Sequence, residues 1–330
     1  MARRSVAAIL DGMVAWYAAR VYGRVEGPGR APFYCDPARV GRFAVEPAAL
    51  ARGDDRALFQ LYVTLAMYQS RRDVDIMAIQ RAMPGRSARA MVEPRRLAVA
   101  VDDARCAHLR SAEAFDAGCS VYRVEGGGAT RCEERPRAWC HVKDATAAIG
   151  RMGDMGKLPT SAWLHLRDAG DHGFAALLAR VTRAHAAPAA RATALVAALA
   201  RFYRVGDKLA TMVVAALTVP ELAPGLTPWH PAVDGHDLVI VDANVGRVID
   251  ALRPRGVGTY AARAAWFRTH AGKVELRRHR ADWPRRSPRL VQQAAYWFRS
   301  RSNRDAAGLG CEAAAAGARC DARLCPYCDA

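Results

Sequence analysis

The sequence predicts an all-α protein of two domains, and three observations carry that prediction. Apolar residues recur with the three-to-four-residue period of helices along most of the chain. Alternating strand patterns are scarce; the β-branched run Leu238–Val241 is the clearest and is too short to found a sheet. The 330 residues exceed one ordinary domain, and 52% hydrophobic content is enough for substantial cores.

Taken in order, the N-terminus places Arg3 and Arg4 before an Ala-rich run that imitates a signal peptide, but Asp11 interrupts it. Val6, Ile9, Leu10, Met13 and Tyr17 instead mark one face of an amphipathic helix. No charge-free apolar stretch reaches the roughly 18 residues that a spanning helix needs, so a soluble cytoplasmic protein with no membrane partner is expected. Leu58, Leu61, Tyr62 and Leu65 share a helix face, as do Leu209, Met212, Val213, Ala216 and Leu217, and later Leu290, Val291, Ala294 and Phe298. Between them, Cys106–Gly156 is rich in Cys, Gly and mixed charge, and its weak periodicity reads as an insertion or irregular subdomain. Pro220–Gly235, with four prolines, reads as a loop whose Trp229 and His230 either border a pocket or decorate the surface.

Lys and Arg total 49 against 32 acidic residues, a net charge of +17 that points to a polyanionic partner, nucleic acid first. Arg277, Arg278, Arg280, Arg285, Arg286, Arg289, Arg299, Arg301 and Arg304 suggest a surface that tracks phosphates; a solvated basic face or a compositional bias toward Arg is the alternative. Nine cysteines, an odd number, fit reduced thiols and a metal site better than a disulfide scaffold. Cys311, Cys320, Cys325 and Cys328 form Cys-x8-Cys-x4-Cys-x2-Cys, a set suited to a tetrahedral sulfur site, zinc or iron-sulfur. Cys106, Cys119, Cys132 and Cys140, with His108 and His141, contain no Cys-x2-Cys pair and read as buried or reduced thiols rather than a second metal site.

Arg191–Leu217 reads as helix, tight turn at Tyr203–Asp207, and a second helix from about Lys208. Such a hairpin can aim turn amides and a helix N-terminus at a phosphate, although any αα-hairpin with a glycine turn looks alike. Downstream, Asp242 is placed to cap a helix whose apolar positions are Val245, Val248, Ile249 and Leu252.

The order "RVGDKLATMVV", "VDANVGRV" and a four-cysteine tail resembles the endonuclease III-like branch of the helix-hairpin-helix DNA glycosylases, with its "GVGxKTAxxVL", "VDTHVxRV" and cluster loop. The likeness spans about 200 to 220 of the 330 residues. It implies a helical barrel domain over 54–235, with the hairpin at 191–217, and a cluster domain over 236–330 against which residues 1–53 pack. It implies that Lys208 is the Schiff-base lysine and Asp242 the essential aspartate, on opposite walls of one cleft. "LFQLYVTLAMYQSRRDV" resembles the family's early core helix, which makes Gln69 the plug for the gap left by a flipped nucleotide. Arg204, Val205, Gly206, Arg247, Arg319 and Arg323 would face DNA, and the four tail cysteines would hold a 4Fe-4S cluster, with zinc the alternative. The implied partner is double-stranded DNA carrying a damaged or modified base, bound by a monomer at the bacterial nucleoid.

The residue types suit that chemistry. Cleavage of an N-glycosidic bond builds positive charge on the sugar, which a carboxylate such as Asp242 stabilises. A neutral lysine amine can attack the sugar C1′, form an imine and nick the strand by β-elimination. The base must first leave the stack, at a cost of about a few kcal/mol that is lower for damaged or mispaired bases. A glycosylase in which Asp242 activates water while Lys208 touches phosphate, and a non-catalytic metal-bearing lesion sensor, are the rival expectations. Departures from the family pattern are plain. Tyr203 and Arg204 stand where it has proline and glycine, which predicts a turn of different shape, because a non-glycine residue is disfavoured at positive φ. The tail spacing differs from the family's Cys-x6-Cys-x2-Cys-x5-Cys, and Lys208 and Asp242 lie 34 positions apart, farther than in typical members.

Overall fold

A computed structural model of the chain describes residues 5–69, 71–102, 106–119, 142, 155–252, 254–311 and 323–328. It is mostly helical, with no strand among the described residues and one isolated bridge, Tyr22 to Glu26. Leu238–Val241 is irregular chain with all four side chains buried. The chain divides into two units, one made of Met1–Ala31, Thr218–Pro224 and Val233–Ala330, the other of Pro32–Leu217 and Gly225–Ala232.

In chain order the helices are α1 (Val6–Arg20), α2 (Pro37–Val40), α3 (Pro47–Ala51), α4 (Asp55–Ala66), α5 (Asp73–Ala82), α6 (Gly85–Val92), α7 (Pro94–Asp102) and α8 (Ala112–Gly118). They continue with α9 (Leu158–Asp168), α10 (Phe174–Ala184), α11 (Pro188–Leu199), α12 (Asp207–Thr218), α13 (Ala243–Leu252), α14 (Tyr260–Ala271), α15 (Pro288–Arg299) and α16 (Arg301–Ala306).

In the terminal unit, α1 starts where the Ser5 hydroxyl accepts the Ala8 amide at 3.2 Å. It buries Leu10, Met13, Val14 and Tyr17 and packs against α15, each such side chain contributing about 1.5–3 kcal/mol. α15 begins with Ser287 as cap and Pro288 in the first turn, where a missing amide hydrogen costs nothing. α13 and α14 also pack on α15. A polar knot lies inside this packing. Gln293 Nε2 donates to both carboxylate oxygens of Glu26 at 3.0 and 3.1 Å, and the Tyr17 hydroxyl donates to the same group. Arg289, buried, donates through Nη1 to Gln292 at 2.6 Å and to Gln293 at 2.8 Å, so Gln293 links the guanidinium to Glu26. Burial raises the Glu26 carboxyl above its ordinary range and pulls the Arg289 guanidinium down to about 10.

The other unit is built on α4, which is buried on nearly every side rather than on one face: from Ala57 to Ala66 only Gln60 is partly exposed. Rings of Phe59, Tyr62, Phe174 and Phe202 form a chain of contacts at 5.5–6.2 Å through the core. Asp55 reaches across to cap α10, accepting the Ala175 amide at 2.9 Å. That approach requires Gly173, because a Cβ there would stand 1.9 Å from an Asp55 oxygen. The described part of Cys106–Gly156 is ordered and packed: Val101, Ala112, Phe115, Val142 and Leu164 form one apolar cluster between α7, α8 and α9. Cys132, Cys140 and His141 lie outside the described residues. In Pro220–Gly235, Trp229 is a core residue at 1% exposure, neither pocket rim nor decoration, while His230 is exposed.

Candidate nucleic-acid interface and sulfur site

α11 and α12 are joined by a turn over Ala200–Gly206, and α12 begins at Asp207. The Val205 amide donates to the Phe202 carbonyl at 2.9 Å, closing a four-residue turn whose third residue is Arg204. Arg204 has φ +56°, and among the described residues it is the one non-glycine at positive φ. Arg204 thus holds the third position of the turn in the left-handed region, where a side chain is ordinarily disfavoured.

Tertiary contacts on both sides explain why. Phe202 packs edge-on against Tyr62 at 5.6 Å and stacks on His165 at 5.4 Å. The Tyr203 amide donates to Ser161 Oγ at 2.9 Å, and its ring lies 3.9 Å from Lys157 Nζ. Lys157 is buried at 2% exposure, donates to the Asp116 carbonyl at 3.0 Å and lies 5.1 Å from the Phe115 ring. Sequence reading missed this buried ammonium under the turn, because it sits at the edge of the segment with the weakest periodicity. Of the residues expected to face DNA, Val205 has its side chain buried at 1% and its amide engaged in the turn. Arg204 and Gly206 are exposed.

Lys208 is the second residue of α12, half-buried, with Nζ donating to the Tyr68 carbonyl at 3.4 Å. Gln69, the next residue, folds back so that Nε2 donates to the Ala66 carbonyl at 2.6 Å. The fold thus brings Lys208 to the corner that ends α4 and carries Gln69.

Asp242 belongs to the terminal unit. Its Oδ1 accepts the Val245 amide at 2.8 Å and its carbonyl accepts the Gly246 amide at 2.8 Å, so it caps α13. Its negative charge also favours the protonated form of buried Arg289. Arg247, on α13, is exposed.

In the tail, Cys311 and Cys328 are exposed and Cys325 is buried; the Cys328 amide donates to the Cys325 carbonyl at 3.2 Å, closing a tight turn. Four thiols are a soft donor set that fits zinc or an iron-sulfur cluster. Cys320 and Arg319 lie outside the described residues, and among the described residues no group of three or more metal-capable side chains is assembled. Arg323 is exposed.

Several arginines of the run are engaged within the fold or paired with acids. Arg280 pairs with Asp282 at 3.0 Å, Arg285 with Glu275 at 2.8 Å and Arg301 with Asp305 at 3.8 Å, while Arg289 and Arg304 are buried. Of the rest, Arg277, Arg278 and Arg286 are exposed and Arg299 is half-buried. No helix of the described residues is long and apolar enough to cross a membrane. No protein-family profile, curated protein or solved structure matches this chain.

Proposed function

We propose that the chain is a DNA glycosylase that excises a damaged or modified base from double-stranded DNA and nicks the strand through Lys208. The observation that supports this most is the hairpin. An exposed turn with Arg204 held at φ +56° runs directly into a helix whose second residue is Lys208, beside the Tyr68–Gln69 corner. An exposed turn at a helix N-terminus, flanked by a guanidinium, suits a backbone phosphate and carries no sequence preference. The amine next to it would then lie within reach of the sugar of a nucleotide turned out of the stack.

In the proposed reaction the neutral Lys208 amine adds to C1′, and the bond from C1′ to the base nitrogen breaks, the base leaving with a proton. Opening of the sugar ring gives an imine on Lys208; loss of a C2′ proton then expels the 3′ phosphate, and water frees the lysine. The Asp242 carboxylate offsets positive charge on the sugar as the base departs. Gln69, once released from the Ala66 carbonyl, fills the vacated space. Cys311, Cys320, Cys325 and Cys328 would hold a 4Fe-4S cluster, or zinc, whose part is structural and electrostatic.

Borohydride trapping on duplexes carrying modified bases or abasic sites tests the reading. A covalent adduct that Lys208→Ala abolishes is expected; base release with no adduct would overturn the lyase step, and binding without base release on a broad panel would overturn catalysis altogether. The bond from Lys208 to the Tyr68 carbonyl favours one second reading, in which Lys208 is a fixed phosphate contact and Asp242 activates water. Lys208→Ala would then retain base release while Asp242→Asn loses it.

A further inference from the structure

Tyr68 stands between Lys208 and a basic, aromatic corner of the same unit. Its carbonyl accepts Lys208 Nζ, and its ring meets that of Phe33 at 5.1 Å with an interplanar angle of 60°. The Phe33 ring is half-buried, and the Arg39 guanidinium lies over it, 5.6 Å from the centroid. Arg81, in the last turn of α5, donates through Nη1 to the Arg39 carbonyl at 3.3 Å. Gly41 permits that approach: at φ +59° it lays the chain after α2 on α5, where a Cβ would stand 2.9 Å from the Arg81 Cα. Two exposed arginines are thus brought to one corner, and among the described residues neither forms an ion pair with a carboxylate.

The Tyr68 hydroxyl is a second, independent observation. The residue is 7% exposed, and its hydroxyl has no hydrogen-bond partner among the described residues. A buried hydroxyl left in that condition costs about 1–3 kcal/mol, which a ligand oxygen would relieve. Burial raises the phenol above its ordinary range and Asp73 adds to that, whereas Arg39 and Arg81 act against it, so both cations lie within electrostatic reach of this oxygen. A partly open ring, two cations without counter-charge and a hydroxyl donor together suit a nucleotide, with an aromatic face for the base and three donors for the phosphate.

We propose that Phe33, Arg39, Tyr68 and Arg81 form a subsite for one nucleotide of the DNA strand, flanking the nucleotide that Lys208 attacks. The base stacks on the Phe33 ring, Arg39 swings from the ring face to the phosphate, and Arg81 and the Tyr68 hydroxyl donate to the same phosphate. This rests on the reading of Lys208 as the amine that meets the target sugar. The subsite holds the neighbouring strand while the target nucleotide turns out of the stack.

The test uses the full chain and duplexes that carry one tetrahydrofuran abasic analogue, with binding followed by anisotropy. Single methylphosphonates, each of which removes one phosphate charge, are then placed in turn on either side of the analogue. Phe33→Leu, Tyr68→Phe, Arg39→Met and Arg81→Met should each weaken binding roughly 5- to 50-fold. One methylphosphonate position that weakens binding by the wild type should have little effect on Arg39→Met and Arg81→Met. Tyr68→Phe adds a readout that a purely structural hydroxyl would not give: stability to urea unchanged or raised while binding falls. Arg39 and Arg81 are exposed, so their variants remain informative if Phe33→Leu fails to fold. Variants that bind as the wild type does, or that respond to every methylphosphonate as the wild type does, overturn the subsite alone. A wild type that prefers the analogue no more than an intact duplex overturns the lesion-site reading on which the subsite rests.

Discussion

Replacing Arg204 by glycine should make the protein more stable and a poorer DNA binder. A non-glycine residue in the left-handed region costs about 1–2 kcal/mol, and Arg204 sits there at φ +56°. Glycine removes that strain but adds about 0.5–1 kcal/mol of backbone freedom to the unfolded chain, leaving a net gain of roughly 0.5–1 kcal/mol. For a unit of this size such a gain raises Tm by about 1–4 °C. Arg204→Ala is the control, because it removes the guanidinium and leaves the strain in place. Thermal and urea unfolding of the three proteins separates the backbone effect from the side-chain effect. Binding to an undamaged duplex, followed by anisotropy across a salt series, then reads the guanidinium. Both variants should weaken binding and lower the slope of log K against log salt by about 0.9, the signature of one lost phosphate contact. An Arg204→Gly protein no more stable than Arg204→Ala would refute the strain, and unchanged salt slopes would refute the phosphate contact.

Asp242→Asn should leave stability within a few tenths of a kcal/mol, since asparagine caps as well as aspartate, yet abolish base release; Asp242→Ala should also cost about 1 kcal/mol by urea unfolding. If Asp242→Asn keeps full activity, Asp242 is a cap alone. Lys157→Met deletes a charged hydrogen bond and a buried contact with the Tyr203 ring, and should destabilise the chain by about 2 kcal/mol; a more stable variant would mean that burying the ammonium costs more than its partners return. Burial holds the Glu26 carboxyl above its ordinary 4.5, so folding favours the protonated form. That contribution is fully present below pH 4.5 and is lost as pH rises through the raised value. Glu26→Gln should flatten this part of the curve of Tm against pH, and an unaltered slope would count against the assignment.

Helix positions were legible because periodicity is a local property, and the hairpin, α13 and the apolar face of α1 all lie where the pattern puts them. Burial on all sides is not local. α4 shows its four-residue stripe in the sequence, but the rings of Phe174 and Phe202 that cover its flanks come from far along the chain. The proline-rich Pro220–Gly235 looks like surface loop by composition, yet Trp229 is inside it, held where its amide meets the Leu217 carbonyl at 3.2 Å. At the site, Lys208 could be picked from its place after the turn, but its contact with Tyr68 spans 140 positions and no spacing rule reveals it. Arg204 shows the converse case. Residue identity argues against a left-handed backbone at this position, and packing of Phe202, Tyr203 and Lys157 overrides it, since a few well-fixed neighbours outweigh about 1–2 kcal/mol of backbone preference.

The same competition decides what the net charge means for DNA binding. A count of +17 treats every cation as available to phosphate, but a cation inside the fold or bound to a carboxylate contributes little to counterion release. Lys157, Arg289 and Arg304 are buried, and Arg72, Arg263, Arg280 and Arg285 each lie against an acidic side chain. These residues organise the protein: Lys157 braces the turn, Arg289 anchors the knot around Glu26, and Arg304 is held by the Phe298, Leu309 and Gly310 carbonyls. The salt dependence of binding should therefore reflect exposed cations such as Arg247, Arg277, Arg278 and Arg286, together with the phosphate contact proposed for Arg204, rather than the composition as a whole. On the proposed reading, DNA would be held through a limited set of phosphates, and the position of the hairpin would matter more than the size of the charge.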